Sequence, residues 1–549
     1  MVKWRECEMR KLFNFFAAAL VMLAAASCEK NEVLPDNNSE GKVVTLKASI
    51  NNGGTKTSLG GEKGSDDKYP VLWSEGDAIA VIQQEDLNDG SVYIFTLSEG
   101  GAGKASASFE CNNANGFNPD LEYRAVYPAS SVVLSDGKFD GYSFSDTQSY
   151  VQNSFGVGAM PMQTSMCIGT ECPLSFTNAF GVLKLQLKGA ADEKVTSIVV
   201  TSNDPLSGEA ILMWGSIVLQ GTAPENKKVT LDCSATGGVA LNPETATYFH
   251  IALPAGAESG LSLMIHTDKA SYYKQVPVDD KNKVVAGSIL AMPVLDLTEH
   301  LNPYIENGVD LGDGIPLVTT DGSVIVWAPV NCGYDANHKY GLLYQWGRKY
   351  GQGYTDKGDV VNFIDERPTL ATGAAEANRN KFYKGDAFNS NGGYGDWLAK
   401  EDRSPKLWNG GNEESPVKTE YDPCPEGWRV PTNNELVTLW VGTQVSSDSK
   451  TAPSDQVEKT DGIKGFWAKS EVGVNKVFFP VYYVLNYDST GTYTGGGNNS
   501  LYWSSTAGNS NNAMSEVLMM ALSTFSGNLT LQATERSRAC GYSVRCVKE

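Results

Sequence analysis

The chain has little histidine: four residues among 549, His250, His266, His300 and His338, with no two at a metal-binding interval on one helix. Histidine-dependent catalysis and histidine-built metal centres are therefore poorly supplied. Positive charge is also short. Lysine plus arginine total 44 against 64 acidic residues, a net charge of -20, and a nucleic-acid partner would reward the opposite sign. No apolar run after Cys28 is long enough to cross a bilayer. Gly-x-Ser-x-Gly elbows, His-Glu-x-x-His helices, EF-hand loops and zinc-type cysteine spacings are all missing. These absences lead to an expectation of no enzyme activity, no catalytic residue, no metal and no cofactor.

What is present begins with Met9 to Cys28, MRKLFNFFAAALVMLAAASC. Basic Arg10 and Lys11 precede an apolar run of signal-peptide length, and Ala25, Ala26 and Ser27 lead into a cysteine. Residues 1–27 read as a lipoprotein signal peptide and Cys28 as the lipidated first residue of the mature chain. Residues 28–41 are polar and aperiodic, a tether.

Alternation at period two then sets in. Val44, Leu46, Ala48 and Ile50 are interleaved with Thr45, Lys47 and Ser49, and similar runs recur at Leu183–Leu187, Phe249–Leu253 and Leu261–Ile265. Gly-rich and Asn-rich turns separate these runs, and 56 glycines with 24 tyrosines suit short strands and tight turns. The reading is a mainly β chain with two antiparallel β-sandwich subdomains, 42–175 and 176–297. Polar residues and a proline break the alternation at 298–308, which reads as a linker. Beyond it tryptophans concentrate, and Thr432 with Glu435 forms a capping-box pattern ahead of Leu436, Leu439 and Trp440. Residues 309–549 read as an α+β module.

Two resemblances follow from motif series. TKTSL at Thr55–Leu59, WSEGDAIAVI at Trp73–Ile82, YRAVYPAS at Tyr123–Ser130, LSFTNAFGVLKLQL at Leu174–Leu187 and FHIALPAG at Phe249–Gly256 together resemble the fimbrillin-like proteins of Bacteroidetes over about residues 42–297. VIVWAPVNCG at Val324–Gly333, YGLLYQWGR at Tyr340–Arg348, DPCPEGWRVPTNNEL at Asp422–Leu436, YWSST at Tyr502–Thr506 and GYSVRCVK at Gly541–Lys548 resemble the paralogous module of Fibrobacter surface proteins. More distantly they resemble the C-type-lectin-like fold. The first resemblance implies an outer-membrane lipoprotein at the cell surface or on a pilus, engaged in adhesion or pilus assembly. Polymerising fimbrillins lose their first strand by cleavage at a basic site, commonly arginine. This chain has no arginine between Cys28 and Arg124, leaving Lys42 and Lys47 as candidate processing sites.

The lectin-like resemblance implies a disulfide between Cys424 and Cys546, tying the first helix to the last strand; a further pairing of Cys332 with Cys540 is expected beside it, and separate buried thiols are the alternative. Cys167 and Cys172 are spaced to close a hairpin, while Cys111 and Cys233 either pair or remain thiols. The lectin calcium triplets do not occur in the second module. Trp327, Trp346, Trp428 and Trp503, inside the motifs, read as core. Tyr354, Tyr394, Trp397 and Trp408, on Gly/Asn-rich stretches, are candidate ligand contacts. The expected function is a lipid-anchored adhesin whose β-rich stalk presents the C-terminal module to a host or neighbouring-cell protein or glycan. A pilus tip or accessory subunit that binds other fimbrial subunits is the first alternative. An enzyme of the formylglycine-generating-like fold, using Cys540 and Cys546, is the second.

Overall fold

The computed structural model describes residues 42–50, 58–59, 71–84, 90–213, 216–256, 260–352, 362–385, 395–439, 450–451, 457–460, 463–481, 484–487, 493–495, 499–508, 514–522 and 529–549. The chain is mainly β; the α-helices among these residues are Leu370–Ala374 and Asn433–Val437.

The strand Val44–Ile50 buries Val44, Leu46 and Ala48 and exposes Thr45 and Lys47. It lies between two partners, antiparallel to Ser106–Cys111 and parallel to Leu174–Asn178, inside a sheet of 11 strands. The core beneath is aromatic. Trp73 meets Phe109, Tyr127 and Phe176 edge-on at ring-centre distances of 4.8, 5.8 and 5.5 Å. In the turn after Trp73, Asp77 accepts the Ser74 N–H at 2.6 Å and the Tyr127 hydroxyl at 2.8 Å. The WSEGD motif thus closes its own turn and fastens it to a neighbouring strand.

Phe180–Lys188 pairs antiparallel with Thr247–Pro254 and parallel with Ile289–Asp296. Its Leu183, Leu185 and Leu187 face Val195, Ile198, Val200, Val229, Leu231, Leu263 and Ile265 of a 6-stranded sheet across one buried core. Gly181 permits this packing, because a Cβ there would stand 2.4 Å from the Val285 carbonyl oxygen.

The two sheet systems are less separate than the alternation predicts. Gly208–Met213 pairs with Lys138–Phe144, and Thr147–Ser149 pairs with Lys228–Asp232, so strands are exchanged across residue 175. Gln148 secures the crossing: its buried amide donates to the Ala252 carbonyl at 2.8 Å and accepts the Ala252 N–H at 2.9 Å. A side chain here copies the paired hydrogen bonds of a strand.

Residues 298–308 are also not a plain linker. Pro303–Glu306 and Val309–Asp313 form a hairpin turning at Asn307 and Gly308, with φ of 51° and 79°. Asn-Gly is the dipeptide that tolerates two such residues in succession. The hairpin belongs to the C-terminal module, since Tyr304 is buried among its core residues.

In that module the strand Val547–Lys548 lies between Val324–Trp327 and Trp428–Arg429. The expected helix is present with its capping box, Thr432 Oγ1 accepting the Glu435 N–H and Glu435 accepting the Thr432 N–H. Arg429 grips the same carboxylate with two bonds of 2.7 and 2.6 Å. The helix is short; Leu436 and Leu439 are buried, and Trp440 lies outside the described residues. Asn475 joins the module to the preceding sheets, accepting the Ser271 N–H and donating to the Ser271 and Pro316 carbonyls at 2.8, 2.8 and 3.0 Å.

Burial, together with the nearby Lys184 ammonium, pushes the His250 imidazole down to about 4. Its folded value is depressed, so the stability it contributes is complete above the unfolded value near 6.5. That stability drains away as pH falls toward 4. His250→Gln is therefore expected to make urea-unfolding stability less acid-sensitive between about pH 7 and pH 4.5, by on the order of 2 kcal/mol relative to the parent chain. Equal acid sensitivity in the two proteins would contradict this account.

Candidate functional site

The sequence-based contact residues fare unevenly. Trp397 and Trp408 are not ligand contacts: they are 0% and 1% exposed. The loop composition around them misled, because a Gly/Asn-rich chain can fold back and press its indoles inward. Trp397 Nε1 donates to the Trp346 carbonyl at 2.7 Å and Trp408 Nε1 to the Tyr421 carbonyl at 3.0 Å. Trp346, Trp428 and Trp503 donate likewise to Ser504, Pro303 and Tyr344 at 2.9, 3.2 and 2.7 Å. Five indoles thus fill one interior with every N–H satisfied, as burial of a polar handle requires. Tyr354, Tyr394 and Cys28 lie outside the described residues.

Three arginines share this interior. Arg348, Arg538 and Arg545 are at most 2% exposed. Arg538 lies 4.0 Å over the Trp346 ring and 3.5 Å from Asp396, a carboxylate that is itself fully buried. Arg545 has no carboxylate partner among its hydrogen bonds; it donates to Asn331 Oδ1 at 2.8 Å, to Ala328 O at 3.0 Å and to Phe478 O at 2.9 Å. Burial lowers all three guanidinium groups to about 10, still charged near neutrality. Arg348 and Arg545 stand inside the motifs YGLLYQWGR and GYSVRCVK, but nothing in those motifs marks their side chains as buried.

The sulfur chemistry gathers at one place. Cys424 and Cys546 form a disulfide with Cα atoms 5.9 Å apart, and Cys167 and Cys172 form another at 5.8 Å. Cys332 and Cys540 are not joined; each is a buried thiol outside both disulfides. The reason is placement. The sulfur atoms of Cys332, Cys424 and Cys546 all lie within 4.8 Å of one another, so Cys332 is held beside the disulfide. Its sulfur accepts from the Tyr344 hydroxyl at 3.2 Å and donates toward Pro423 O at 3.4 Å and Glu306 Oε1 at 3.5 Å. Cys111 and Cys233 are buried thiols as well.

Glu306 is the residue that sequence reading missed, hidden in a supposed linker. It accepts the Gly333 N–H at 2.8 Å and the Tyr304 hydroxyl at 3.2 Å. Burial is the main cause raising its carboxyl pKa, against these hydrogen bonds; burial and the Glu306 charge together push the Cys332 thiol well up. Glu306 and Cys424 line a pocket of about 410 Å³, together with Lys349, Lys418, Asp422 and Glu426. Asp422 is buried in its wall, bonded to Lys418 at 2.6 Å and to the Cys424 and Val430 N–H groups at 2.8 Å. Two of the three clustered sulfurs are bonded to each other, so the group presents one thiol and no open set of metal ligands.

A larger cleft of about 940 Å³ lies among the earlier sheets, lined by Ser130, Ser131, Ser143, Thr147, Gln148 and Glu209 together with Val132 and Phe180. Hydroxyls and one carboxylate suit a hydrogen-bonding ligand. Both aromatic lining residues, Phe144 and Phe180, are buried and offer no stacking platform. The candidate processing residues differ in setting. Lys42 precedes the first strand, with Nζ donating to Phe117 O at 3.3 Å, whereas Lys47 projects from mid-strand with its side chain 74% exposed.

Trp397→Ala is expected to destabilise the module by about 3–5 kcal/mol through loss of a buried indole. The loss would be read as an earlier urea transition; an unchanged transition with weakened ligand binding would instead restore Trp397 to a binding surface.

No curated protein matches the chain. Solved structures similar to it include two described as "putative cell adhesion protein". That from Bacteroides fragilis NCTC 9343 has 12% identity and TM-score 0.30, covering 48% of this chain and 95% of its own. That from Bacteroides uniformis ATCC 8492 has 19% identity and TM-score 0.29, covering 47% and 93%. A fimbrial protein from Bacteroides ovatus ATCC 8483 has 11% identity and TM-score 0.24, covering 93% and 99%. Residues 325–548, which hold the indole interior, the three buried arginines and the clustered cysteines, match the family model of the Fibrobacter succinogenes major domain.

Proposed function

We propose that the chain is a non-catalytic adhesin, anchored in the outer membrane by lipid on Cys28, in which residues 42–297 act as a stalk and residues 309–549 as a lectin-like ligand-binding module. The observation that carries this reading is the junction. Asn475 holds Ser271 by its backbone N–H and C=O at 2.8 Å each, and Asn302 donates to Tyr273 O at 2.8 Å. Such a joint presents a module at a set angle, which suits display. The module's interior supports the same reading, since five indoles and the guanidinium groups of Arg348, Arg538 and Arg545 are consumed in packing and leave recognition to outer loops. An enzymatic reading through Cys540 and Cys546 has less support, because Cys546 is in a disulfide and Cys540 is 3% exposed. A thiolate that acts on an outside substrate must be within that substrate's reach.

The ligand is a protein or glycan of a host or neighbouring cell, contacted by Tyr354 and Tyr394. On glycan and protein arrays probed with the full chain, Tyr354→Ala and Tyr394→Ala are expected to reduce binding by about tenfold or more with an unchanged unfolding transition. Binding that survives both substitutions would refute the assignment. Palmitate labelling of the expressed protein is expected to vanish in Cys28→Ala.

The alternative, a pilus tip or accessory subunit, is favoured by one observation. The strand Val44–Ile50 is hydrogen-bonded along both edges, so its removal would open a groove between Ser106–Cys111 and Leu174–Asn178. N-terminal sequencing of the surface protein decides: a start just after Lys42 or Lys47 supports the pilus reading, and an intact lipidated Cys28 in assembled fibres rejects it.

A further inference from the structure

A third sulfur beside a disulfide is an arrangement with chemical content of its own. Cys332 is within 4.8 Å of both Cys424 and Cys546, and the polar groups around it form an unbroken path from the thiol to the far sulfur. Glu306 Oε1 is 3.5 Å from Cys332 Sγ, Glu306 Oε2 is 3.2 Å from the Tyr304 hydroxyl, and that hydroxyl is 3.5 Å from Cys546 Sγ. The Tyr344 hydroxyl donates to Cys332 Sγ at 3.2 Å, placing a donor where thiolate charge would develop.

We infer that Cys332, Cys424 and Cys546 form an internal thiol–disulfide exchange centre, in which Glu306 serves as the base for Cys332 and Tyr304 returns the proton to Cys546. The Cys332 proton passes to the Glu306 carboxylate. The Cys332 thiolate attacks Cys424 Sγ; the Cys332–Cys424 bond forms as the Cys424–Cys546 bond breaks, and the electron pair leaves on Cys546. Tyr304 protonates the Cys546 thiolate and regains its proton from Glu306. One disulfide and one thiol are present before and after, so no oxidant or reductant enters. Cys424 is the sulfur under attack because the Tyr304 hydroxyl, whose hydrogen bond is given to Glu306 at rest, lies 3.5 Å from Cys546 and can turn to it as the leaving group once Glu306 is protonated.

Exchange moves the covalent tie from the last strand to the loop that holds Cys332. The module would thereby have two covalent states, one with Val547–Lys548 tied through the adjacent Cys546 and one with that strand held by hydrogen bonds and packing alone. The inference rests on sulfur geometry and does not depend on what the module binds.

The test uses the full chain, isolated without reductant in the Cys424–Cys546 form and incubated with no added thiol. Samples are acid-quenched, unfolded, alkylated with a maleimide, digested and mapped by mass spectrometry. Peptides joined through Cys332–Cys424, with alkylated Cys546, are expected to accumulate with time, and Cys540→Ser to behave like the parent. Glu306→Gln is expected to slow the accumulation by about a hundredfold, within the range for removing a positioned base. Equal rates in Glu306→Gln and parent would overturn the proton path. If the parent shows only Cys424–Cys546 at every time, the exchange is overturned; Cys546→Ser, oxidised in air, is expected to form Cys332–Cys424, and two remaining thiols there would overturn the sulfur geometry.

Discussion

The module depends above all on the return of its last residues to an early strand, Val324–Trp327. Val547 pairs on one side with Trp327 and on the other with Arg429, and the adjacent Cys546 is bonded to Cys424, 122 residues earlier. Closing a loop of that length restricts the unfolded chain by roughly 5 kcal/mol in the chain-entropy treatment. Other interactions hang on the same segment. Arg545 ties Asn331, Ala328 and Phe478 together, and the Cys332 N–H is held by the Val544 carbonyl. Three stretches far apart in sequence are thus organised by one short run of chain.

The interior built around that run is unusual in what it buries. A guanidinium removed from water is costly unless its donors are met, and here carbonyl oxygens and aromatic faces meet most of them. Arg538 lies over Trp346, Arg545 over Phe479 at 4.8 Å, and Arg348 over Tyr383 at 5.1 Å and Trp397 at 5.5 Å. Indole N–H groups occupy further carbonyls nearby. Every such bond has a fixed direction, so tryptophan and arginine jointly specify one arrangement of irregular loops where regular secondary structure is sparse.

These facts also explain what could be read from the sequence. Strand Val44–Ile50 was legible because one face is wet, and the capping box at Thr432 and Glu435 because its chemistry is local. Trp397 and Trp408 were misread because Gly/Asn-rich composition reports backbone freedom, not the direction in which a side chain points. The hairpin at Pro303–Asp313 was passed over although Asn307-Gly308 is a strong turn signal, since the proline and neighbouring polar residues drew attention to a break. Glu306 beside Cys332 was beyond reach: a hairpin end and a turn that meet only in the folded module leave no spacing to recognise. The same holds for strand exchange across residue 175, where pairing is decided by Gln148 and Ala252 at long separation.

The clamp at Asn475 has a mechanical consequence. A single amide grips the N–H and the C=O of Ser271 and, through Pro316 O, the strand Ile315–Val318 of its own module. Gly473 allows the two surfaces to meet, for a Cβ there would stand 2.4 Å from Ser271 Oγ and 2.8 Å from His266 Nδ1. Tension applied to the module therefore enters the preceding sheets through the covalent chain near residue 300, through Asn302 on Tyr273 O, and through this clamp on the hairpin that includes Ser262–Thr267 and Ser271–Gln275. Load shared among several attachments resists bending as well as stretching, and the joint acts as a bracket instead of a hinge.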